Sequence, residues 1–249
     1  MRILNNFPKP LYPSTFEIWE YLIANFEWNS IIDVGANYGE MSCSAFLFRL
    51  DDNVRIHIFE PSRELFRLLR KTFENATNVF LNQKAMSSHN GNVYFRNFKN
   101  NSGKSNITYE LPKNKEDVYV EKIEAATLDS QKIYSEKILI KIDVEGHEKE
   151  VIEGAKETLN QAKIAVLIIE ANQLNLYDLV ESFPNLKPYA YFRASGKIKA
   201  IRIDQLEKSK FGKFSSIYSH DILLIKTYGS EFKNLKIASI DKRFKKGLR

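Results

Sequence analysis

Short apolar runs alternate with amphipathic stretches along most of the chain, and this alternation predicts strands and helices in turn. Strands are predicted at 30–34, 54–60 and 78–82, with helices between them at 39–50 and 62–75. Strands that alternate with helices are typical of a mainly parallel, doubly wound sheet. The first half of the chain therefore predicts an α/β fold.

The same rhythm returns after residue 137. The later elements are predicted strands at 137–142, 163–169, 188–193 and 221–226, and predicted helices at 148–159 and 174–183. A loop rich in Lys, Ser and Gly, at 194–219, separates the last two strands. The sheet is thus expected to continue to the C-terminal part of the chain.

Two other regions interrupt the pattern. Strand-like pieces flank a polar stretch within 92–128, which predicts a small β-hairpin insertion with a mobile loop. Before the first strand, residues 1–29 form a lead-in with three prolines and a helix that starts at Ser14 or Thr15. We therefore expect a single domain over 1–249, closed by a basic tail at 230–249.

Composition narrows the class of protein. The 249 residues are 43% hydrophobic and 27% charged, as in ordinary globular proteins. The longest apolar run, Ile164–Ile169, is too short to cross a membrane, and no signal-peptide pattern precedes Pro8. The single cysteine, Cys43, allows no internal disulfide and reads as a buried structural thiol. We predict a cytoplasmic protein.

Positive charge is concentrated in the last quarter of the chain. The net charge is +6, but the segment Lys187–Arg249 alone has 16 Lys and Arg against 5 Asp and Glu. Such a segment attracts anionic substrates, nucleic acid or a membrane surface, or is simply a solvated basic surface. An anionic acceptor is one alternative, and the side chains that would hold it are Lys197, Lys199, Arg202 and Lys210.

The turn from Asp33 to Gly39 is the first candidate for ligand binding. Gly35 permits a sharp turn at the end of a strand, where ligands of such sheets bind. Asn37 replaces the central glycine of a dinucleotide fingerprint, which exists so that the backbone can contact a pyrophosphate. The turn therefore favours a cofactor without phosphates, such as S-adenosylmethionine, although an ordinary tight turn has the same pattern.

Glu60 supports a ribose-bearing cofactor. It ends the second strand, 21 residues beyond Gly39, where a carboxylate accepts hydrogen bonds from both ribose hydroxyls. The alternative is a charged strand end that faces water. Pro61 follows directly, and Ala85 lies after the third strand in a position suited to the adenine ring.

A second motif follows the strand at 137–142. Asp143 is expected at its carboxyl end, facing either the cofactor or the acceptor, and Glu145 either orients a hydroxyl or anchors the loop. Alternatively, the three acids Asp143, Glu145 and Glu148 simply favour the N-terminus of the following helix. His147 is either a neutral general base or a capping residue. We take Asp143, Glu145 and His147 as the candidate catalytic residues.

Glu170 and Asn172 end the fifth predicted strand and are candidates for substrate binding. Together with Asp143 they have oxygen ligands of the kind that magnesium prefers. Their spacing is not that of a dense ligand set, and orientation of the substrate without a metal is the simpler interpretation. We expect no metal.

Several motifs resemble the FkbM family of S-adenosylmethionine-dependent methyltransferases. The matching segments are Asp33–Gly39, Phe59–Pro61, Ala85–Ser87, Thr127–Asp129 and Lys141–Gly146, followed by Glu148, Val151, Gly154 and Ala155. They lie between about residues 30 and 172. His147 departs from the family pattern, so the resemblance does not make it the base. The first 30 residues and those past about 190 match only loosely.

The resemblance implies a class I methyltransferase fold, which is Rossmann-like, with a doubly wound sheet of seven strands of which the last is antiparallel. It implies that S-adenosylmethionine is the cofactor and S-adenosylhomocysteine the product. The residues expected to bind this cofactor are Asp33, Gly35, Ala36, Asn37, Gly39, Glu60, Pro61, Ala85 and Asp143.

The resemblance also implies O-methylation of a sugar, a surface glycan precursor or a small natural product. Methylation of a protein or nucleic acid is an alternative, which the basic C-terminal segment favours slightly. No basic patch interleaved with aromatic residues supports nucleic acid as a partner. A cofactor-binding module without catalysis is the non-enzyme alternative, and intact Asp33, Glu60 and Asp143 argue against it.

Overall fold

The computed structural model describes residues 14–49, 53–98, 105–110, 118–170, 182–194, 197–202 and 221–227. The helices are α1 (Thr15–Asn25), α2 (Glu40–Phe48), α3 (Arg63–Thr72), α4 (Glu148–Glu153) and α5 (Lys156–Gln161). The strands are β1 (Ser30–Val34), β2 (Arg55–Phe59), β3 (Val79–Asn82), β4 (Ala85–Met86), β5 (Gly91–Phe98), β6 (Asn106–Thr108), β7 (Val118–Ala126), β8 (Lys137–Ile142), β9 (Ile164–Glu170), β10 (Lys187–Ala194), β11 (Lys197–Arg202) and β12 (Asp221–Thr227).

Eight of these strands form the central sheet, in the order β11-β10-β12-β9-β8-β1-β2-β3. The strands β3, β2, β1, β8 and β9 are parallel, and β12 pairs antiparallel with both β9 and β10. This arrangement confirms the predicted α/β class with its antiparallel last strand. The sheet has one strand more than expected, because β11 folds back on β10 as an antiparallel edge strand.

Hydrophobic side chains of the sheet pack in two layers. Neighbouring residues in β1 point to opposite faces, so that Ile31 joins the cluster formed with α1, α2 and α3, whereas Ile32 joins the cluster that contains residues of α4 and α5. Strands covered on both faces explain the continuous apolar runs in the sequence. The two layers hold the carboxyl ends of β1, β2 and β8 in fixed positions.

The predicted hairpin insertion forms a small sheet of its own, in the order β4-β7-β5-β6. Strand β5 pairs with β7 over eight residues and with β6 over three. Val93, Phe95 and Ile123 form its buried apolar face. This second sheet places β6 beside the carboxyl ends of the central strands.

Three details differ from the sequence predictions or fall outside them. The helix predicted at 148–159 is two helices, because the helical conformation is interrupted at Gly154 and Ala155. The loop predicted at 194–219 contains β11. The lead-in before Ser14, most of the helix at 174–183, Asn172, Lys210 and the tail at 230–249 lie outside the described residues, as do the side chains of Lys197, Lys199 and Arg202.

Of the helices in the described part of the chain, none is both long and apolar enough to span a membrane.

Candidate functional site

The turn between β1 and α2 is built from left-handed residues. Gly35, Asn37 and Gly39 have φ values of +77°, +53° and +84°. The backbone N–H groups of Gly35 and Ala36 both donate to the carbonyl of Phe59, at 3.0 and 3.2 Å. These bonds fix the turn against the end of β2, so that the two motifs predicted to bind the cofactor lie side by side.

A side chain at Gly35 would collide with the neighbouring loop. A Cβ atom built there would lie 2.0 Å from the carbonyl oxygen of Asp143. Glycine is therefore needed at this position for two reasons: its left-handed conformation and the close approach of the loop after β8.

Lys141 and Asp33 form a buried charge network behind the turn. The ammonium of Lys141 lies 3.7 Å from the Asp33 carboxylate and 3.3 Å from that of Asp143, and donates to the carbonyl of Gly35 at 3.1 Å. Ser42 donates to Asp33 at 2.5 Å. Burial lowers the pKa of Lys141, but the two carboxylates outweigh it and raise the pKa above its usual value. Lys141 is thus a fixed cation.

Glu60 lies at the end of β2 and is 4% exposed. One of its carboxylate oxygens accepts from the N–H of Asn37 at 2.7 Å, and the other from the N–H of Ser62 at 2.8 Å. Burial raises the pKa of Glu60 to about 7, although both backbone hydrogen bonds and the charge of Lys141 act in the opposite direction. A group that titrates near neutrality thus sits at the predicted ribose position.

The loop after β8 turns through Glu145 and Gly146, both with positive φ. The carboxylate of Glu148 accepts from the N–H groups of Val144 and Gly146, at 3.2 and 3.1 Å. Burial raises the pKa of Glu148. Glu148 therefore holds the loop in shape, and this loop presents Asp143 with its side chain half exposed.

Two cavities open on either side of Asn37 and Asp143. The first cavity lies toward the insertion sheet and is lined by Val34, Gly35, Asn37, Glu60, Pro61, Leu65, Lys84, Ala85, Met86, Phe95, Ser105, Asn106, Ile107, Asp143, Val144, Glu145 and His147. The second cavity, of about 360 Å³, lies toward α1 and is lined by Ser14, Thr15, Phe16, Ala36, Asn37, Tyr38, Glu40, Met41, Lys141, Ile142, Asp143, Ile168, Ile169, Glu170 and Asp221. Asn37 and Asp143 belong to both.

Three carboxylates meet where the cavities join. Oxygen atoms of Asp143, Glu145 and Glu170 lie within 4.8 Å of one another, which is a donor set that a hard divalent cation accepts. Lys141 already places a positive charge 3.3 Å from Asp143. This ammonium offsets part of the negative charge of the three carboxylates.

His147 lies in a different part of the site from Glu170. Its Nε2 atom is 3.0 Å from the hydroxyl of Ser87 and 3.2 Å from that of Tyr109, and its Nδ1 atom is 3.5 Å from the carboxylate of Glu150. Burial lowers the pKa of His147, which Glu150 partly offsets. The imidazole borders the first cavity and not the second.

The structure distributes the predicted residues over three places. Asp33 and Gly39 border neither cavity and shape the turn from behind. Those on the first cavity are Gly35, Asn37, Glu60, Pro61, Ala85, Asp143, Glu145 and His147, and those on the second are Ala36, Asn37, Asp143 and Glu170.

Sequence reasoning missed Lys141 as a site residue, and it missed Phe95 and Ile107, which line the first cavity from the insertion sheet. The alternation of apolar residues in β5 was the available signal for Phe95, since it marks one face of that strand as buried.

Comparison with known proteins agrees with the resemblance seen in the motifs. The family model described as the methyltransferase FkbM domain matches residues 33–222. A search of the curated proteins finds no match.

Solved structures also resemble the chain. A methyltransferase FkbM from Methylobacillus flagellatus KT is 15% identical, with a TM-score of 0.49 over 79% of this chain and 43% of that one. Precorrin-6y C5,15-methyltransferase from Geobacter metallireducens GS-15 is 13% identical, with a TM-score of 0.42 over 89% and 94%. The SAH-bound methyltransferase PaMTH1 from Podospora anserina is 8% identical, with a TM-score of 0.47 over 86% and 78%.

This chain thus spans less than half the length of the FkbM structure. The family assignment rests on the family model, which covers most of the chain, from the end of β1 into β12. It includes the turn at Gly35, Glu60 and the loop at Asp143. The protein therefore belongs to the FkbM methyltransferase family.

Proposed function

We propose that this protein transfers a methyl group from S-adenosylmethionine to an oxygen atom of a sugar, a surface glycan precursor or a small natural product. The observation that carries the proposal is Glu60, a buried carboxylate that lines the first cavity beside the turn at Gly35. A carboxylate at this position suits the two hydroxyls of a ribose. Membership of the FkbM methyltransferase family supports a methyl donor as the ribose-bearing ligand.

The first cavity is the proposed donor site. Its apolar part, formed by Met86, Phe95 and Ile107, suits the adenine ring, and Glu60 on the same cavity accepts the N–H of Asn37. The methionine end of the donor then extends toward Asp143, where the two cavities meet. This orientation directs the sulfonium methyl toward the second cavity.

The second cavity is the proposed acceptor site. Phe16 and Tyr38 are exposed aromatic residues that line it, and Ser14 and Thr15 add hydroxyl groups. Among the described residues, Lys141 is the only basic side chain on this cavity, and it is already held by Asp33 and Asp143. Aromatic rings with neutral and acidic oxygen groups favour an uncharged acceptor with several hydroxyls over a phosphorylated or acidic one.

In the proposed reaction, the acceptor oxygen attacks the methyl carbon in line with the carbon–sulfur bond. The bond electrons return to sulfur as the thioether of S-adenosylhomocysteine forms, and the acceptor hydroxyl loses its proton. Asp143 contributes to both cavities and Glu170 lies within 4.8 Å of it, so these carboxylates are placed to orient the hydroxyl and accept the proton.

A turnover screen tests this proposal. Wild-type protein is incubated with S-adenosylmethionine and separate panels of neutral sugars, nucleotide sugars, phosphorylated sugars, peptides and RNA, and products are identified by mass. We expect one added methyl group on a neutral hydroxylated acceptor, and a turnover number roughly 100-fold lower in Asp143→Asn. Methylation of peptide or RNA instead, or the same turnover in Asp143→Asn, would contradict the assignment.

A further inference from the structure

The outer wall of the first cavity depends on a strand with few attachments. Asn106 and Ile107 of β6 line this cavity, and among the described residues β6 is an edge strand that pairs with Tyr94, Phe95 and Arg96 of β5. Three paired residues are a short ladder, and short edge strands open more readily than central ones. A contact between this wall and the central sheet would therefore add to its stability.

Tyr109, the residue directly after β6, makes such a contact. Tyr109 is half exposed. Its hydroxyl nevertheless lies 3.2 Å from Nε2 of His147 and 3.2 Å from the hydroxyl of Ser87. Its ring also stacks on His89, with centroids 5.3 Å apart. Tyr109 thus connects the insertion sheet to the loop that carries Asp143.

The environment of His147 suits it to accept a hydrogen bond from the Tyr109 hydroxyl. The residue is 8% exposed, and burial lowers the pKa of its imidazole, which favours the neutral ring. In the tautomer that has its proton on Nδ1, which lies 3.5 Å from the Glu150 carboxylate, Nε2 is an acceptor for a hydroxyl proton. The hydroxyls of Ser87 and Tyr109 both lie within hydrogen-bond distance of Nε2, so an acceptor substrate would have to displace them to reach this atom.

We infer that His147 is a positioning residue, and that the Tyr109–His147 hydrogen bond holds β6 over the bound donor. The contact slows release of S-adenosylmethionine and S-adenosylhomocysteine by keeping Asn106 and Ile107 against their adenosine part. This inference rests on the proposed donor site. It gives the one residue that departs from the family motif a role outside the chemical step.

The test measures dissociation of S-adenosylhomocysteine by stopped flow, together with steady-state kinetics. Tyr109→Phe removes the hydroxyl and keeps the ring, and we expect dissociation about fivefold faster, which corresponds to about 1 kcal/mol for one hydrogen bond. Turnover at saturating donor stays at or above the wild-type value. Tyr119→Phe is the matched control, because Tyr119 is a similarly exposed residue of the same small sheet; we expect no change there.

Variants of His147 separate positioning from catalysis. His147→Gln keeps an acceptor near the Nε2 position, so dissociation should be slower than in His147→Ala and the pH profile of turnover should match that of the wild type. His147→Ala should resemble Tyr109→Phe, and the double variant should be no worse than either single one. If His147→Ala fails to fold, the surface variant Tyr109→Phe still tests whether the Tyr109 hydroxyl slows dissociation of S-adenosylhomocysteine.

Two outcomes overturn the inference. One is wild-type dissociation in Tyr109→Phe. The other is loss of turnover in His147→Gln with donor affinity unchanged, which would make His147 the base. Failure of the wild-type protein to bind S-adenosylhomocysteine is a distinct result, and would overturn the proposed function itself.

Discussion

Glu60 connects two loops before any ligand binds. Each of its carboxylate oxygens accepts one backbone N–H, from Asn37 and from Ser62, and the residue is almost fully buried. The remaining lone pairs are those that a ribose would use. Because burial raises the pKa of Glu60 to about 7, the charge on this carboxylate changes within the physiological pH range.

We expect the affinity for S-adenosylhomocysteine to depend on pH through Glu60. Ribose hydroxyls donate to the ionised carboxylate, so below pH 7 binding must first remove a proton. The Kd should rise as pH falls, by about fivefold between pH 7 and pH 6. Glu60→Gln should bind more weakly at pH 8 and show a flat profile. Equal slopes in the two proteins would assign the titration to another group.

Individual residues were predicted unevenly from the sequence. The positions of Glu60 and Asp143 follow from strand ends, which apolar runs mark clearly. Asp33 was expected to contact the cofactor, but it is 0% exposed and is bonded to Ser42. Lys141 belongs to a matching segment, but its contact with Asp33 was not predicted, and Tyr109 gave no signal, because both roles depend on contacts between segments that are distant in sequence.

Among the elements, the turn after β1 is the most constrained. Gly35 has left-handed backbone geometry, and the carbonyl of Asp143 occupies the space where a Cβ atom would lie. Gly91 at the start of β5 differs on both counts, since the nearest atom to its Cβ position is a His89 carbon at 4.0 Å. Substitution of Gly91 is therefore a suitable control for substitution of Gly35.

Gly35→Ala should destabilise the protein by at least about 2 kcal/mol, because alanine is strained in the left-handed conformation and its Cβ atom would collide with the Asp143 carbonyl. This corresponds to a fall in Tm of roughly 4–8 °C, with loss of S-adenosylhomocysteine binding. Gly91→Ala should keep both the Tm and the affinity. Scanning calorimetry and titration check this, and a Gly35→Ala protein with wild-type stability would show that the loops can separate without cost.

Elements were predicted well where periodicity is strong and poorly where tertiary contacts decide. The strands at 30–34 and 137–142 were placed correctly, since buried parallel strands read as continuous apolar runs. The helix at 148–159 breaks because Gly154 lies against the backbone of Ser87, which no local pattern reveals. Strand β11 was assigned to a loop because its alternating lysines resemble a solvated segment.

At the scale of the whole molecule, two cavities share one wall. The central sheet supplies Asn37 and Asp143 to both, the insertion sheet completes the first, and α1 with the ends of β9 and β12 completes the second. The motif residues Gly35, Glu60 and Ala85 line the proposed donor side. The proposed acceptor side combines motif residues, such as Asn37 and Asp143, with residues of α1, a segment that matches the family motifs only loosely.

Removal of metal ions should leave the reaction intact. The carboxylates of Asp143, Glu145 and Glu170 are close enough to hold a cation, but Lys141 already compensates the charge of Asp143. We expect full methyl transfer after treatment with EDTA and exchange into chelated buffer. Activity that is lost on this treatment and restored by magnesium would show instead that the carboxylates bind an essential ion.

The central claim is that the first cavity binds an adenosine-bearing methyl donor through Glu60. Isothermal titration of the wild-type protein with S-adenosylhomocysteine, and separately with NAD, tests it most directly. The account predicts one site for S-adenosylhomocysteine, no heat of binding for NAD, and an affinity at least about tenfold weaker in Glu60→Ala, as for a lost hydrogen bond to a charged group. No binding of S-adenosylhomocysteine, or equal affinity in Glu60→Ala, would contradict it.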